Sequence, residues 1–598
     1  MSRFHNPFSH LLLLLCGGLL AGSTWAQTAK PHPPSEVPAR RSTQLLDGFG
    51  VNLDLPRDPR LPWTGHWWTQ LPDSGVKWVR LGQYENSSEK TGWDWVEQSP
   101  GQYEVLPEVD DAVRSLVDNG ISIEIQLCYN NPLYQGDPAR RPRHIDPAPP
   151  SIGQDDKPPN PIFEGLNTED EIQGFLNYTR FMVDHFKGKV RAWELWNEEN
   201  IGYWHPDANS PGELIAKARQ YGKALCRFAD VVHEVDPQSK VIFGGISSVD
   251  VSFVQAAIAG CPSKIDVMAY HAYPGFGSNH APEEANSLVG AHDFREAVLR
   301  APGVRKDIEF WENEWNVSPS WKNSNDSVQA RYLARFYLED KGLGVRGAVW
   351  EFVPGTDGNE HDQFGILHGM TNTPDSFQPR EAYRSLEVTS ALFGQTTRDR
   401  NCEVLQDRSP TVPEEYSHGE LRDYCFRDQV SGKPIYALWL AVYAAPDDRF
   451  QPVASEIPIP DEQIQNPVLI DVRSGKITPA AWLDRKARTI RVELKDSVLA
   501  VADASFMDWS PVPEAPWGLT AKRSGEQVTL HWKPVQCDGF EVQQSIDSSA
   551  WKTIAHVPSK ATSFSEHVPE GGHVSYRVRA VGVGESAWSN PAWVTQAP

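Results

Sequence analysis

The sequence predicts an α/β chain built as a (β/α)8 barrel, or TIM barrel, followed by a β-sandwich-type domain and a second, smaller β-sandwich. Three observations predict it. Eight short apolar runs between residues 43 and 395 are each followed by enough chain for a loop and an amphipathic helix, the pattern of parallel βα units. After residue 395 the helical periodicity gives way to closely spaced strands with turn residues. Finally, Pro511, Pro513 and Pro516 mark a linker, beyond which another set of alternating strands begins. A doubly wound open sheet would want a Gly-rich phosphate turn after its first strand, and none is present.

Size and composition fit this plan. With 598 residues, 39% hydrophobic and 23% charged, the chain has material for three or four domains and a large core, and disordered or fibrous classes are excluded. The formal charge, 56 − 79 = −23, repels phosphate backbones and gains nothing at an anionic lipid surface, so nucleic acid is not an expected partner.

Residues 1–26 read as a cleavable signal peptide. Arg3 precedes the apolar run Leu11 to Leu20, and Thr24-Trp25-Ala26 stands before Gln27. The run is too short to be a permanent span, no later stretch reaches the length a membrane helix needs, and the expected location is secreted or periplasmic. Cys16 follows Leu15, where a lipoprotein site would place a small residue. Residues 27–42, rich in proline and polar side chains, form a linker.

The barrel is expected over 43–395, with strands at 47–53, 76–81, 121–127, 190–196, 241–245, 265–270, 308–314 and 345–352. Between them a helix at 168–187 opens on a Thr168/Glu171 capping box and stops at Gly188, and another ends at Asn119-Gly120. Residues 396–510 form a β-domain. The final segment, 511–598, resembles a fibronectin type III domain, with Trp532 at the core position and Tyr576 at the tyrosine-corner position. Six cysteines lie beyond the signal peptide without metal-ligand spacing, so no metal is expected. In an exported chain Cys402–Cys425 is the best disulfide candidate and Cys226–Cys261 the second, with buried thiols the alternative for each.

In such barrels the carboxyl ends of the strands carry the chemistry. The fourth strand ends Trp196-Asn197-Glu198-Glu199-Asn200, and the seventh ends Glu312-Asn313-Glu314-Trp315-Asn316. Two carboxylates converging from different strands suit retaining glycoside hydrolysis, one protonating the departing oxygen and the other attacking the anomeric carbon. Glu312 and Glu314, two apart, are expected on one face of the strand, with Glu314 preferred because it lies nearer the strand end. Glu194 and Glu351 read as barrel-interior or salt-bridged groups. Trp204, Trp315, Trp321 and Trp350 fall at or just beyond strand ends, where apolar sugar faces could stack; Trp63, Trp67 and Trp68 would either extend that platform or pack inside.

The run from Trp196 to Trp204, together with Val76-Lys77-Trp78-Val79-Arg80, Leu127-Cys128-Tyr129-Asn130-Asn131-Pro132, His271-Ala272-Tyr273-Pro274 and Gln363-Phe364-Gly365-Ile366-Leu367, resembles glycoside hydrolase family 39 of the clan A barrels. Glu199 stands where that family has proline. The resemblance implies a retaining β-glycosidase without cofactor, acting on an oligo- or polysaccharide, with Glu198 as acid/base and Glu314 as nucleophile. It further implies that Asn197 meets the sugar 2-hydroxyl, that Arg80 and Tyr273 hold the nucleophile, and that His271, Asn130 and Trp350 line the pocket, with Trp204 and Trp315 as stacking residues. The alternatives are an endo-acting polysaccharide hydrolase of another clan A family and a non-catalytic carbohydrate-binding surface protein.

Overall fold

A computed structural model describes residues 34–53, 65–82, 91–134, 165–204, 208–353, 364–370, 373–403, 420–510, 513–547, 549–568, 573–582 and 584–594. The signal peptide, Trp63, Gln363 and Pro511 lie outside the described residues.

Eight parallel strands close a barrel in sequential order: β1 (Gly50–Asn52), β2 (Trp78–Leu81), β3 (Ser122–Leu127), β4 (Ala192–Leu195), β5 (Lys240–Ser247), β6 (Val267–His271), β7 (Glu309–Trp315) and β8 (Arg346–Val349). All eight fall on the expected runs. The connecting chain supplies α1 (His66–Asp73), α2 (Pro107–Asp118), α3 (Glu169–His185), α4 (Pro211–Val235), α5 (Val251–Ile258), α6 (Ala291–Arg300), α7 (Asp326–Leu343) and α8 (Glu381–Phe393). The helix starts follow local chemistry. Thr168 and Glu171 close the capping box on α3, and Ser210, Asp250 and Asn325 each accept from the backbone N–H three residues on.

The barrel interior is layered. At its amino end Trp78, Ala192, Ile242, Val267, Ala269, Trp311 and Ala348 form an apolar plug. Toward the carboxyl ends the inward side chains become Arg80, Glu124 and Glu194, all buried. No helix among the described residues is long and apolar enough to cross a membrane.

β7 departs from simple alternation. Gly347 of β8 pairs with Glu312, but Val349, two residues on, pairs with Trp315, three residues on, so β7 carries a one-residue bulge. Trp311 and Asn313 face the barrel interior, while Glu312 turns outward toward Tyr270, Arg295 and Asp340. The bulge then brings Glu314 back inside. The expectation that Glu312 and Glu314 share a face is therefore corrected: the inserted residue breaks the period of two between them.

The described residues between 396 and 503 form a six-stranded antiparallel sheet and a three-stranded one. The larger sheet packs on α7 and α8 through Tyr424, Phe426 and Trp439, and Arg335 of α7 reaches across to the carbonyls of Val442 and Asp496. Residues 34–42 are held against this domain: Val37 N–H donates to the Gly475 carbonyl and Ile477 N–H to that of Ser35, each at 2.8 Å, and Arg41 pairs with Asp73 of α1 at 2.6 Å.

The last segment has seven strands in sheets of three and four around Trp532, Phe540 and Tyr576. The Tyr576 hydroxyl meets the side chain of Gln544 at 3.4 Å, whereas a tyrosine corner bonds upstream backbone. The sandwich rests on the barrel's outer helices: Arg577 pairs with Asp118 at 2.5 Å, His573 with Asp111 at 3.2 Å, and His66 stacks on Trp517. Disulfides join Cys226 to Cys261 and Cys402 to Cys425, while Cys128 and Cys537 remain thiols.

Candidate active site

The end of β4 is shaped by two residues in the left-handed region, Trp196 at φ 71° and Glu198 at φ 43°. Each such residue costs about 1–3 kcal/mol, and packing around it must hold it there. Trp196 achieves this by pointing outward, edge-on to Trp204 at 4.9 Å and Tyr129 at 5.2 Å. The backbone thus turned delivers Asn197 and Glu198 to the barrel mouth, where Glu198 N–H donates to the Gly245 carbonyl at 3.0 Å.

Arg80, at the end of β2, is the hub. Its Nε and Nη2 donate to Glu194 at 2.7 and 2.9 Å, Nη2 also to Asn197 Oδ1 at 3.2 Å, and Nη1 to Asn52 at 3.3 Å and to Glu314 Oε2 at 3.3 Å. Burial opposes ionisation of Glu194, but the guanidinium overcomes it and holds that carboxyl below the ordinary range. Glu124 has the reverse fate: burial, and then the negative Glu194, push it well up. Asn313 donates to both, at 3.0 and 3.3 Å.

Above this floor, Tyr273 Oη donates to Glu314 Oε1 at 3.2 Å. Burial and the charges of Glu314 and Glu198 raise the phenol far above its usual value, so it stays a donor. His271 Nδ1 stands 3.0 Å from Glu198 Oε1 and 3.5 Å from Glu314 Oε2. Its ring lies over Gly245, where a Cβ would come within 2.0 Å of Nε2, so only glycine admits the imidazole there. One donor atom each of Glu198, His271 and Glu314 lie within 4.8 Å of one another. Among the described residues these are the groups close enough to hold a cation, which Arg80 on Glu314 would oppose.

The structure thus brings Arg80, Asn197, Glu198, His271, Tyr273 and Glu314 to one mouth. Trp350, half-buried, ends the neighbouring strand β8, its N–H bonded to the Trp315 carbonyl. Three expectations are corrected. Trp204 is fully buried between Trp196 and Tyr221, and Trp315 stacks on Phe336 of α7 at 4.7 Å, because both side chains leave the backbone on the helix side. Asn130 is buried too, donating to Glu171 at 3.3 Å and accepting from Asn131 N–H. Trp67 and Trp68 are core residues of α1. Glu199 turns away beneath Gly244, where burial first, then Glu194 and Glu198, drive its carboxyl well up.

Sequence reasoning missed Asn52, Asn313 and Phe276. Asn52 ends β1 and Asn313 lies two residues before the end of β7, near the carboxyl ends of the strands as Arg80 does, which was the available signal. Phe276 lies in a loop after β6 with no strand-end position to mark it.

Fold and site together define a (β/α)8 barrel with a carboxylate pair at its mouth. No family model matches the chain, and no curated protein matches it. Solved structures do. A family 39 glycoside hydrolase from the gut symbiont Bacteroides cellulosilyticus WH2 superposes with a TM-score of 0.55 at 19% identity, covering 78% of this chain and 83% of that one. A family 51 α-L-arabinofuranosidase from Bifidobacterium longum gives 0.47 at 14%, covering 78% and 97%, and endo-glycoceramidase II from Rhodococcus sp. gives 0.40 at 16%, covering 79% and 100%. At 19% identity the first of these likenesses speaks for the fold alone.

Proposed function

We propose that the chain is an exported retaining β-glycosidase similar to family 39, acting on an oligo- or polysaccharide. The observation that carries this is the carboxylate pair. Glu198 and Glu314 present oxygens within 4.8 Å of each other, from β4 and β7. Retaining enzymes hold their carboxyls about 5–5.5 Å apart, whereas inverting enzymes need roughly 6.5–9.5 Å to admit a water.

The surroundings support separate roles. Glu314 accepts from the Arg80 guanidinium and the Tyr273 phenol, which hold its carboxyl in place for attack on the anomeric carbon. Glu198 faces His271 instead of a permanent cation, and would protonate the departing oxygen, then take a proton from the incoming water. Asn197, whose oxygen accepts from Arg80 and Gln126, would meet the sugar 2-hydroxyl. The seven-stranded terminal sandwich fits a fibronectin type III-like module, and the apolar leader fits export.

The test is a panel of p-nitrophenyl β-glycosides followed by proton NMR of the first-formed anomer. Turnover with a β-product is expected; an α-product overturns the retaining assignment, and no turnover on aryl glycosides or polysaccharides overturns the enzyme reading.

A further inference from the structure

Trp204, Trp315 and Trp321 are buried and Trp350 is half-buried, yet a more exposed aromatic surface stands at the mouth. Phe276 is 67% exposed. Its ring meets Tyr273 edge-on at 5.7 Å, Trp321 at 4.9 Å and Phe364 at 6.0 Å. Trp321 and Phe364 are buried beneath it, and Tyr273 is the residue whose hydroxyl bonds Glu314. One continuous aromatic cluster therefore runs from a site carboxylate out to solvent.

The loop that presents Phe276 is anchored on both sides. Asn279 donates to the carbonyls of Asn323 and Ala444, each at 2.7 Å, and accepts from Tyr332 at 2.6 Å. Gly275 packs so closely on His280 that a Cβ would lie 2.4 Å from its ring, and Gly277 turns at φ 84°. A phenyl ring so held in water is pre-organised for an apolar face.

Exposure also ranks depth in the pocket. His271 is buried, the Glu198 and Glu314 side chains are 14% and 12% exposed, and Phe276 lies outermost. The reacting sugar sits at the level of the carboxylates, among polar groups, so a rim residue meets what projects beyond it. Resting on the glycosidase reading, we infer that Phe276, backed by Tyr273, Trp321 and Phe364, binds the leaving group, and that the substrate carries an aglycone with an apolar ring face, either an aromatic ring or the C–H face of a second sugar.

The experiment compares Phe276→Ala and Phe276→Trp with the wild type on a phenyl β-glycoside and on the β-glycosyl fluoride of the same sugar, which has no aglycone ring. For Phe276→Ala, kcat/KM on the phenyl glycoside should fall about tenfold or more relative to the fluoride, and Phe276→Trp should restore it. Equal losses on both substrates, or no loss on either, overturn the inference. Binding is read separately by calorimetry with a phenyl thioglycoside and an S-linked disaccharide, neither of which requires turnover. Phe276-dependent affinity for the first alone assigns an aromatic aglycone, and for the second a sugar. If no glycoside is hydrolysed but thioglycoside affinity depends on Phe276, the glycosidase reading fails and the platform stands; affinity indifferent to Phe276, or no binding, overturns the platform.

Discussion

Arg80 gives Glu194 two short bonds, at 2.7 and 2.9 Å, and Glu314 a single longer one at 3.3 Å. The site's cation is thus chiefly committed to a structural carboxylate and reaches the reactive one with its remaining edge. A nucleophile paired too tightly would be a poor one, so the Glu194 clamp sets how much positive charge Glu314 receives.

Glu194→Gln removes that clamp and leaves a buried guanidinium without its main counter-charge. The expected cost is about 3–5 kcal/mol of stability, read from denaturant unfolding. In a double-mutant cycle with Arg80→Met, the combined loss should be clearly smaller than the sum. Strict additivity would show that the pair is not coupled.

The two reactive carboxyls separate by their response to azide. Glu314→Ala should depress turnover of every glycoside, and azide should give the α-glycosyl azide by attack from the vacated face. Glu198→Ala should retain the first step on an aryl glycoside with a very acidic phenol, show a burst, and be rescued by azide to the β-glycosyl azide. Identical responses, or Glu312→Ala behaving as Glu314→Ala, would undo the assignment.

Burial on α8 pushes the Glu387 carboxyl up to about 7 from an ordinary 4.5, with Arg384 at 3.2 Å only partly offsetting it. A raised carboxyl pKa means that the unfolded chain ionises first, so stability is lost as pH rises from 4.5 through 7. Glu387→Gln should match the wild type near pH 4 and exceed it by up to roughly 3 kcal/mol near pH 8, less any screening at its 16% exposed side chain. Chemical unfolding at both pH values measures it. A constant difference would show no proton linkage at this residue.

The terminal sandwich and its lead-in touch the barrel through His66, Asp73, Asp111, Arg114, Asp118 and Asn119, none of which is bonded to the site residues. A chain ending at residue 512 should keep kcat on a small soluble glycoside while its melting temperature falls by several degrees. Loss of most turnover in a truncated chain that still unfolds cooperatively would place the module in the site.

Much of this was readable from the sequence because each barrel strand is a short apolar run bounded by turn residues, and because Trp196 to Asn200 and Glu314 stand where such strands end. The bulge at β7 was not readable, since counting by twos assumes an unbroken ladder and nothing in Glu312-Asn313-Glu314 marks the inserted residue. The tryptophans misled for a related reason. An aromatic at a strand end has the same composition whether it faces sugar or helix, and the left-handed turn at Trp196 and the Trp315–Phe336 stack decide it only in three dimensions. Glu194, by contrast, was placed as an interior salt-bridged group and is one.

The bonds of residues 34–42 also carry a statement about time. During synthesis this stretch is made early, yet Ser35 and Val37 find their partners only at Ile477 and Gly475. At about 5–20 residues per second those partners arrive roughly 20 to 90 s later. Arg41 can meet Asp73 of α1 early, but the stretch around Ser35 and Val37 must wait for the later sheet, so the strap is complete only once barrel and sheet both stand.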